Sequence, residues 1–152
     1  MNSNYTIISE TDFQKARNEI KKARETGKKI VFSGDDELNR KVLEKEKIDI
    51  LLVKLVKRKD RLKQRDSGFN QVLAKLAQKG KVAIGINLDE IIKADKKEKA
   101  KIIARLVQNV KLCNKNKLKM KFISSDNSKD IYDLVSLGSV LGMPTWMLNN
   151  SI

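Results

Sequence analysis

Histidine is absent from this chain, and that one absence removes a large share of enzyme chemistry. Without imidazole there is no Ser–His or Cys–His nucleophile pair, no histidine-rich zinc site and no histidine acid–base catalyst. Cysteine occurs once, at Cys113, so no internal disulfide forms and no second thiol lies at metal-ligand spacing, which fits a reducing compartment. Proline also occurs once, and aromatic residues make up only 5% of the chain. No run approaches the roughly 18 apolar residues of a membrane span. The first residues, MNSNYTIISETD, lack both the basic start and the apolar run of a leader. The expectation is a soluble, cytoplasmic protein with no membrane partner. Neither GxGxxG nor GxxxxGK[ST] follows a strand, so neither a dinucleotide site nor a P-loop is indicated.

Acidic residues are the next shortage, and here the balance turns to what is present. Thirty-three Lys and Arg against 19 Asp and Glu leave a formal charge of +14 on 152 residues. Such a surface attracts polyanions and releases their counterions on binding, which makes nucleic acid the leading partner. A chain of this length is expected to form a single α/β domain over residues 1–152, with no linker or composition break dividing it.

Short β-branched runs alternate with longer amphipathic stretches. Strands are expected at 5–9, 29–33, 49–53, 82–86 and 119–125, and helices at about 11–26, 35–47, 67–79, 96–114 and 128–141. In the third helix Val72, Leu73, Leu76 and Ala77 are expected to face inward. A turn is expected at Asn87 or Asp89. Five successive βα units imply a parallel sheet with helices outside it, as an incomplete TIM-like β/α barrel or as an open doubly wound sheet. In both architectures the functional rim is at the C-terminal ends of the strands. That rule gathers Ser33-Gly-Asp-Asp36, residues 54–70, Asn87 to Glu90 and Ser124 to Ser128 on one side.

The stretch KLVKRKDRLKQR, residues 54–65, holds Lys54, Lys57, Arg58, Lys59, Arg61, Lys63 and Arg65 against the single carboxylate Asp60. That local field suits several phosphates. No aromatic is interleaved, so stacking on unpaired bases is not what the run suggests, and phosphates of folded RNA or duplex fit better. A second basic zone, Lys111, Lys115, Lys117, Lys119 and Lys121, leads into the start of the fifth strand. Asp35, Asp36, Asp66, Asp89 and Asp126 stand at strand ends, where oxygen ligands could hold Mg²⁺, but each also stands where a helix wants a capping carboxylate. Capping is the simpler assignment, and the same holds for Ser33-Gly34 as a turn rather than a phosphate site.

Asp66-Ser-Gly-Phe-Asn-Gln-Val-Leu-Ala-Lys75, then Val82-Ala-Ile-Gly85, Ser124-Ser125 and Asp133-Leu-Val-Ser-Leu-Gly-Ser-Val-Leu-Gly-Met143 follow one another in an order and spacing that resemble archaeal ribonuclease P protein component 3. This family is related to the thirty-kilodalton subunit of eukaryotes, and the resemblance runs from about Ile48 to Met143. It implies a non-catalytic RNA-binding subunit that supports RNA-catalysed 5′ maturation of precursor tRNA. The implied partners are the ribonuclease P RNA, protein component 2 and the other ribonuclease P proteins. No cofactor is expected on the protein itself, with Mg²⁺ serving the RNA catalyst. The resemblance places family basic positions on Lys79, Lys115 and Lys129 and its acidic position on Asp133, and marks Asp66, Ser67, Gly68, Asn70, Ser124, Ser125, Asp133, Gly138 and Gly142 as motif residues. Lys129 and Asp133, four apart, would alternatively form an intrahelical ion pair. Gln71 stands where the family has histidine, so no imidazole role carries over. The chain is shorter than its relatives, which implies open sheet edges and a partner or homo-oligomer to cover them. Two other functions remain in view: a metal-dependent phosphoesterase of related barrel fold, which the lack of histidine disfavours, and a generic basic α/β nucleic-acid-binding module.

Overall fold

The computed structural model describes residues 4–126 and 129–149. Its strands are β1 (Tyr5–Ser9), β2 (Lys29–Ser33), β3 (Ile50–Leu52), β4 (Ala83–Asn87) and β5 (Met120–Ile123). Between and after them lie α1 (Phe13–Glu25), α2 (Asp36–Lys45), α3 (Gln71–Gly80), α4 (Leu88–Lys93), α5 (Lys96–Lys115), α6 (Ile131–Val140) and α7 (Thr145–Leu148). All neighbouring strands pair in parallel, in the order β1-β2-β3-β4-β5. A doubly wound sheet reverses its order at a switch point. None is present, so the arrangement is the barrel-like one of the two expected.

Sequential parallel order explains why the strands are apolar on both faces. Crossovers of one hand lay successive helices on one side of the sheet. Ile8, Ile30, Phe32, Leu51, Ile84, Ile86 and Met120 form the main core with the helices. The alternate positions Val31, Ile50 and Leu52 form a second cluster with Tyr5, Ala83 and Ile123. Cys113 lies in the main core, and burial pushes its thiol up to about 12, as suits an inert packing residue.

Four features depart from the sequence reading. Helix α3 starts at Gln71 rather than Ser67, because the Asn70 side chain accepts from Leu73 N–H and is the cap. With that start Val72 is half-exposed and Ala74 is buried with Leu73 and Ala77. The turn at Asn87 continues into α4, whose Asp89 and Glu90 N–H groups donate to Asn87 Oδ1. Beyond Gly142-Met-Pro144 the chain forms the unforeseen α7. The residue Ser128, at the expected start of the last long helix, lies outside the described residues; that helix begins at Ile131 behind the cap Asp130.

Candidate nucleic-acid interface

Residues 53–70 connect β3 to α3 at the C-terminal end of the sheet, and they are held from inside. The Arg58 side chain, only 12% exposed, spans Asp36 at 2.8 Å and Asp66 at 3.3 Å. Burial opposes its charge, but the hydrogen bonds and charges of Asp36 and Asp66 outweigh that and raise its pKa. Gly68 fits tightly beneath it: at φ +67° an added Cβ would meet the Arg58 guanidinium, so both conformation and space demand glycine.

A second brace comes from α5. Arg105 is 1% exposed and donates to Leu55 O at 2.8 Å and Arg58 O at 2.9 Å, with Asp60 at 3.4 Å and Glu98 at 3.7 Å. Gln108 donates to Ser67 Oγ and Arg65 O, and Asn109 to Ser67 O. Inside the loop, Arg61 and Gln64 exchange backbone hydrogen bonds, and Asp60 accepts from Asp66 N–H at 2.8 Å. That bond, helped by Arg105 and Arg65, holds the Asp60 carboxyl below its ordinary range. Two further carboxylates tie the loop to its neighbours: Leu55 N–H donates to Glu90 and Lys57 N–H to Glu98. Burial raises the Glu90 pKa.

The expected rim is therefore a connected structure, with Asp36, the loop and Glu90 joined directly. Ser124 and Ser125 join through Asp89, which accepts from Ser124 Oγ and from Ser125 N–H, both at 3.1 Å. Burial opposes the charge on Asp89, but these bonds outweigh it and lower the pKa. Of the strand-end carboxylates, Asp35 caps α2 as expected, whereas Asp36, Asp66 and Asp89 spend their oxygens on Arg58, on Gly68 N–H and on the Ser124-Ser125 turn. Among the described residues no group of three Asp, Glu, Cys or His side chains is placed to hold a metal ion.

The remaining loop cations point the other way. Lys54, Lys57, Lys59, Arg61, Lys63 and Arg65 are exposed, and their side chains form no ion pair among the described residues. Sequence reasoning grouped Arg58 with them, but structure separates it. It also missed Arg105, although a signal was there. Arg105 and Asn109 fall on the apolar stripe of α5 with Ile102, Leu106, Val110 and Cys113, where a cation is expected to be an internal donor.

The other positions divide. Lys79 lies in the last turn of α3 and Lys115 ends α5, both exposed, while Lys129 precedes the Asp130 cap of α6. Lys129 therefore does not share a helix face with Asp133, and the intrahelical pair does not form. Lys119 and Lys121 flank the start of β5, where burial and the charges of Lys29 and Lys119 lower the Lys121 pKa. Gln71 exchanges amide hydrogen bonds with Asn116, 3.0 and 3.2 Å long, so the position is filled by a structural amide pair. Gly138 lets α6 meet α7, since an added Cβ would lie 2.6 Å from Leu148. Gly142 follows α6 in the turn before Met143 and Pro144.

The profile of the RNase P subunit p30 family matches residues 7–150, which covers every strand but the first residues of β1 and every helix described above. The chain belongs to that family. Among curated relatives, "Ribonuclease P protein component 3" of Methanococcus maripaludis strain C7 is 30% identical over 113 residues, 74% of this chain and 45% of the relative. The protein of the same name from Methanothermobacter thermautotrophicus is 26% identical over 138 residues, 90% of this chain and 53% of the relative. A chain in a cryo-EM structure of archaeal ribonuclease P with mature tRNA superposes with a TM-score of 0.77 at 28% identity, covering 94% of this chain and 62% of that one. The chain thus spans about half the length of the curated relatives it matches. As an RNase P p30 family chain, it carries the Asp66-Ser-Gly turn as a shape element: Asp66 receives Arg58, Ser67 is buried on α5, and Gly68 makes room for the guanidinium.

Proposed function

We propose that the chain is a non-catalytic RNA-binding subunit of ribonuclease P, working with the ribonuclease P RNA, a component 2 type protein and other protein subunits, while RNA and Mg²⁺ carry the chemistry. The observation that supports this most is the division of labour in the β3–α3 loop. Arg58 and Arg105 spend their charge inward, and six exposed cations form no ion pair among the described residues, on a loop whose shape is fixed before RNA arrives. Preorganised cations lose less conformational entropy on binding phosphate than cations on a mobile segment.

Reconstitution tests the assignment. Adding the chain with its component 2 type partner to the cognate RNA is expected to increase precursor-tRNA cleavage at low Mg²⁺, and unchanged cleavage would overturn it. The interface is tested separately by salt. Replacing Lys57, Lys59, Arg61 and Lys63 together by Ala should flatten the log–log salt dependence of RNA affinity by about 0.7–0.9 per lost phosphate contact. An unchanged slope would exclude the loop from the interface.

A further inference from the structure

Beside the basic loop, between α2 and the start of α3, lies a cleft of about 390 Å³. We propose that it receives one unstacked RNA nucleotide, its phosphate on arginines and its base against Val72, an inference that rests on the RNA-binding reading above. Arg40 enters from α2, and Arg61 and Arg65 from the loop. Guanidinium suits both halves of a nucleotide, because its fork matches phosphate and its plane stacks on bases. The scarcity of aromatics therefore does not exclude an unpaired base here. Arg40 also meets Glu44 at 3.0 Å on the exposed face of α2, a surface pair worth little against a phosphate.

Three further features shape the site. Asp36 and Asp66 line the same cleft, but Arg58 engages both and offsets one of their two charges, so the three arginines keep the cleft positive. The first turn of α3, capped by Asn70, carries no acidic residue, which leaves the positive end of the helix facing the cleft. Val72, 51% exposed on that same turn, is the most exposed of the apolar side chains lining the cleft, since Phe69 and Leu73 beside it are buried. The volume falls in the range of small-ligand sites, of roughly 300–1,000 Å³, and admits a nucleotide but not a helix.

The test uses the whole chain and three RNA hairpins: one perfectly paired, one with a single bulged nucleotide, and one with an abasic residue at the bulge. The bulged hairpin is expected to bind about tenfold tighter than the other two. Val72→Lys should abolish that preference although it adds a cation, and Arg65→Gln should reduce it; circular dichroism reports that each variant is folded, and Val72→Ser serves if Val72→Lys is not. Equal binding of all three hairpins with steep salt dependence overturns the cleft and leaves the RNA-binding reading standing. If no hairpin binds at any salt concentration, the RNA-binding reading falls and the cleft with it. Tighter bulge binding by Val72→Lys would reduce the cleft to a charged surface and overturn the proposal as well.

Discussion

Arg58 and Arg65 stand seven positions apart in one basic run, with the same side chain and opposite assignments. Arg65 is exposed and forms no ion pair among the described residues, whereas Arg58 is largely buried against two carboxylates and cannot reach a phosphate without breaking them. Arg105 extends the contrast, since its charge lies wholly inside the protein on two carbonyls and two carboxylates. Removing one partner of such a buried set leaves the others unsatisfied and commonly costs about 3–5 kcal/mol. Arg105→Met is therefore expected to lower stability by about that amount, read from denaturant midpoints. Arg58→Ala should also destabilise, but by breaking two partly exposed pairs. Neither change should alter the salt slope of RNA binding measured where the variant is folded, because neither side chain meets solvent as a free cation. Lys59→Ala should do the reverse, with stability unchanged and the slope shallower. A shallower slope for Arg58→Ala would return that residue to the interface.

At the level of elements, the sequence carried the five strands and most helices, because β-branched runs and amphipathic periods are local signals. Helix starts were legible where the capping residue closely follows its strand, as Asp35 does before α2. Around α3 the sequence reading put the cap at Asp66 and the helix at 67–79, and the outcome depended on Arg58, which reaches across from the loop to take Asp66. Ser67 is drawn inward by α5, and its hydroxyl donates to Phe69 O. Asn70 is what remains, and it caps α3. Those ties run between residues distant in sequence, which is why periodicity could not show them. The same reasoning covers α7, four residues long and placed by contact with Gly138 rather than by its own pattern. Asn70→Ala should cost about 1 kcal/mol of stability, the usual loss of a cap. Ser67→Ala would instead leave Gln108 without one acceptor and disturb the loop. A negligible change for Asn70→Ala, read by chemical denaturation, would return the start of α3 to Ser67.

The whole molecule sets two faces against each other. From Asp130 onward the sequence contains no lysine or arginine, although the chain carries 33 of them. The described part of that segment exposes Ile131, Tyr132 and Val140 on α6, the helix that follows the edge strand β5. The positive charge is thus concentrated on the rest of the surface, where like charges lie close; at Lys121 burial first, and then the charges of Lys29 and Lys119, lower the pKa. Net charge of +14 repels itself more strongly in the compact chain than in the expanded one, so it opposes folding. Salt screens that repulsion, with a Debye length falling from about 10 Å at 0.1 M to about 3 Å at 1 M. Ion pairs such as Arg58–Asp36 are short and partly buried and are screened less. The melting temperature of the free chain should therefore rise as NaCl increases over that range, while affinity for RNA falls steeply because counterion release is lost. The two slopes have opposite signs from a single cause, and a melting temperature that fell with salt would show that attractive pairs, rather than repulsion among unpaired cations, dominate the folded chain.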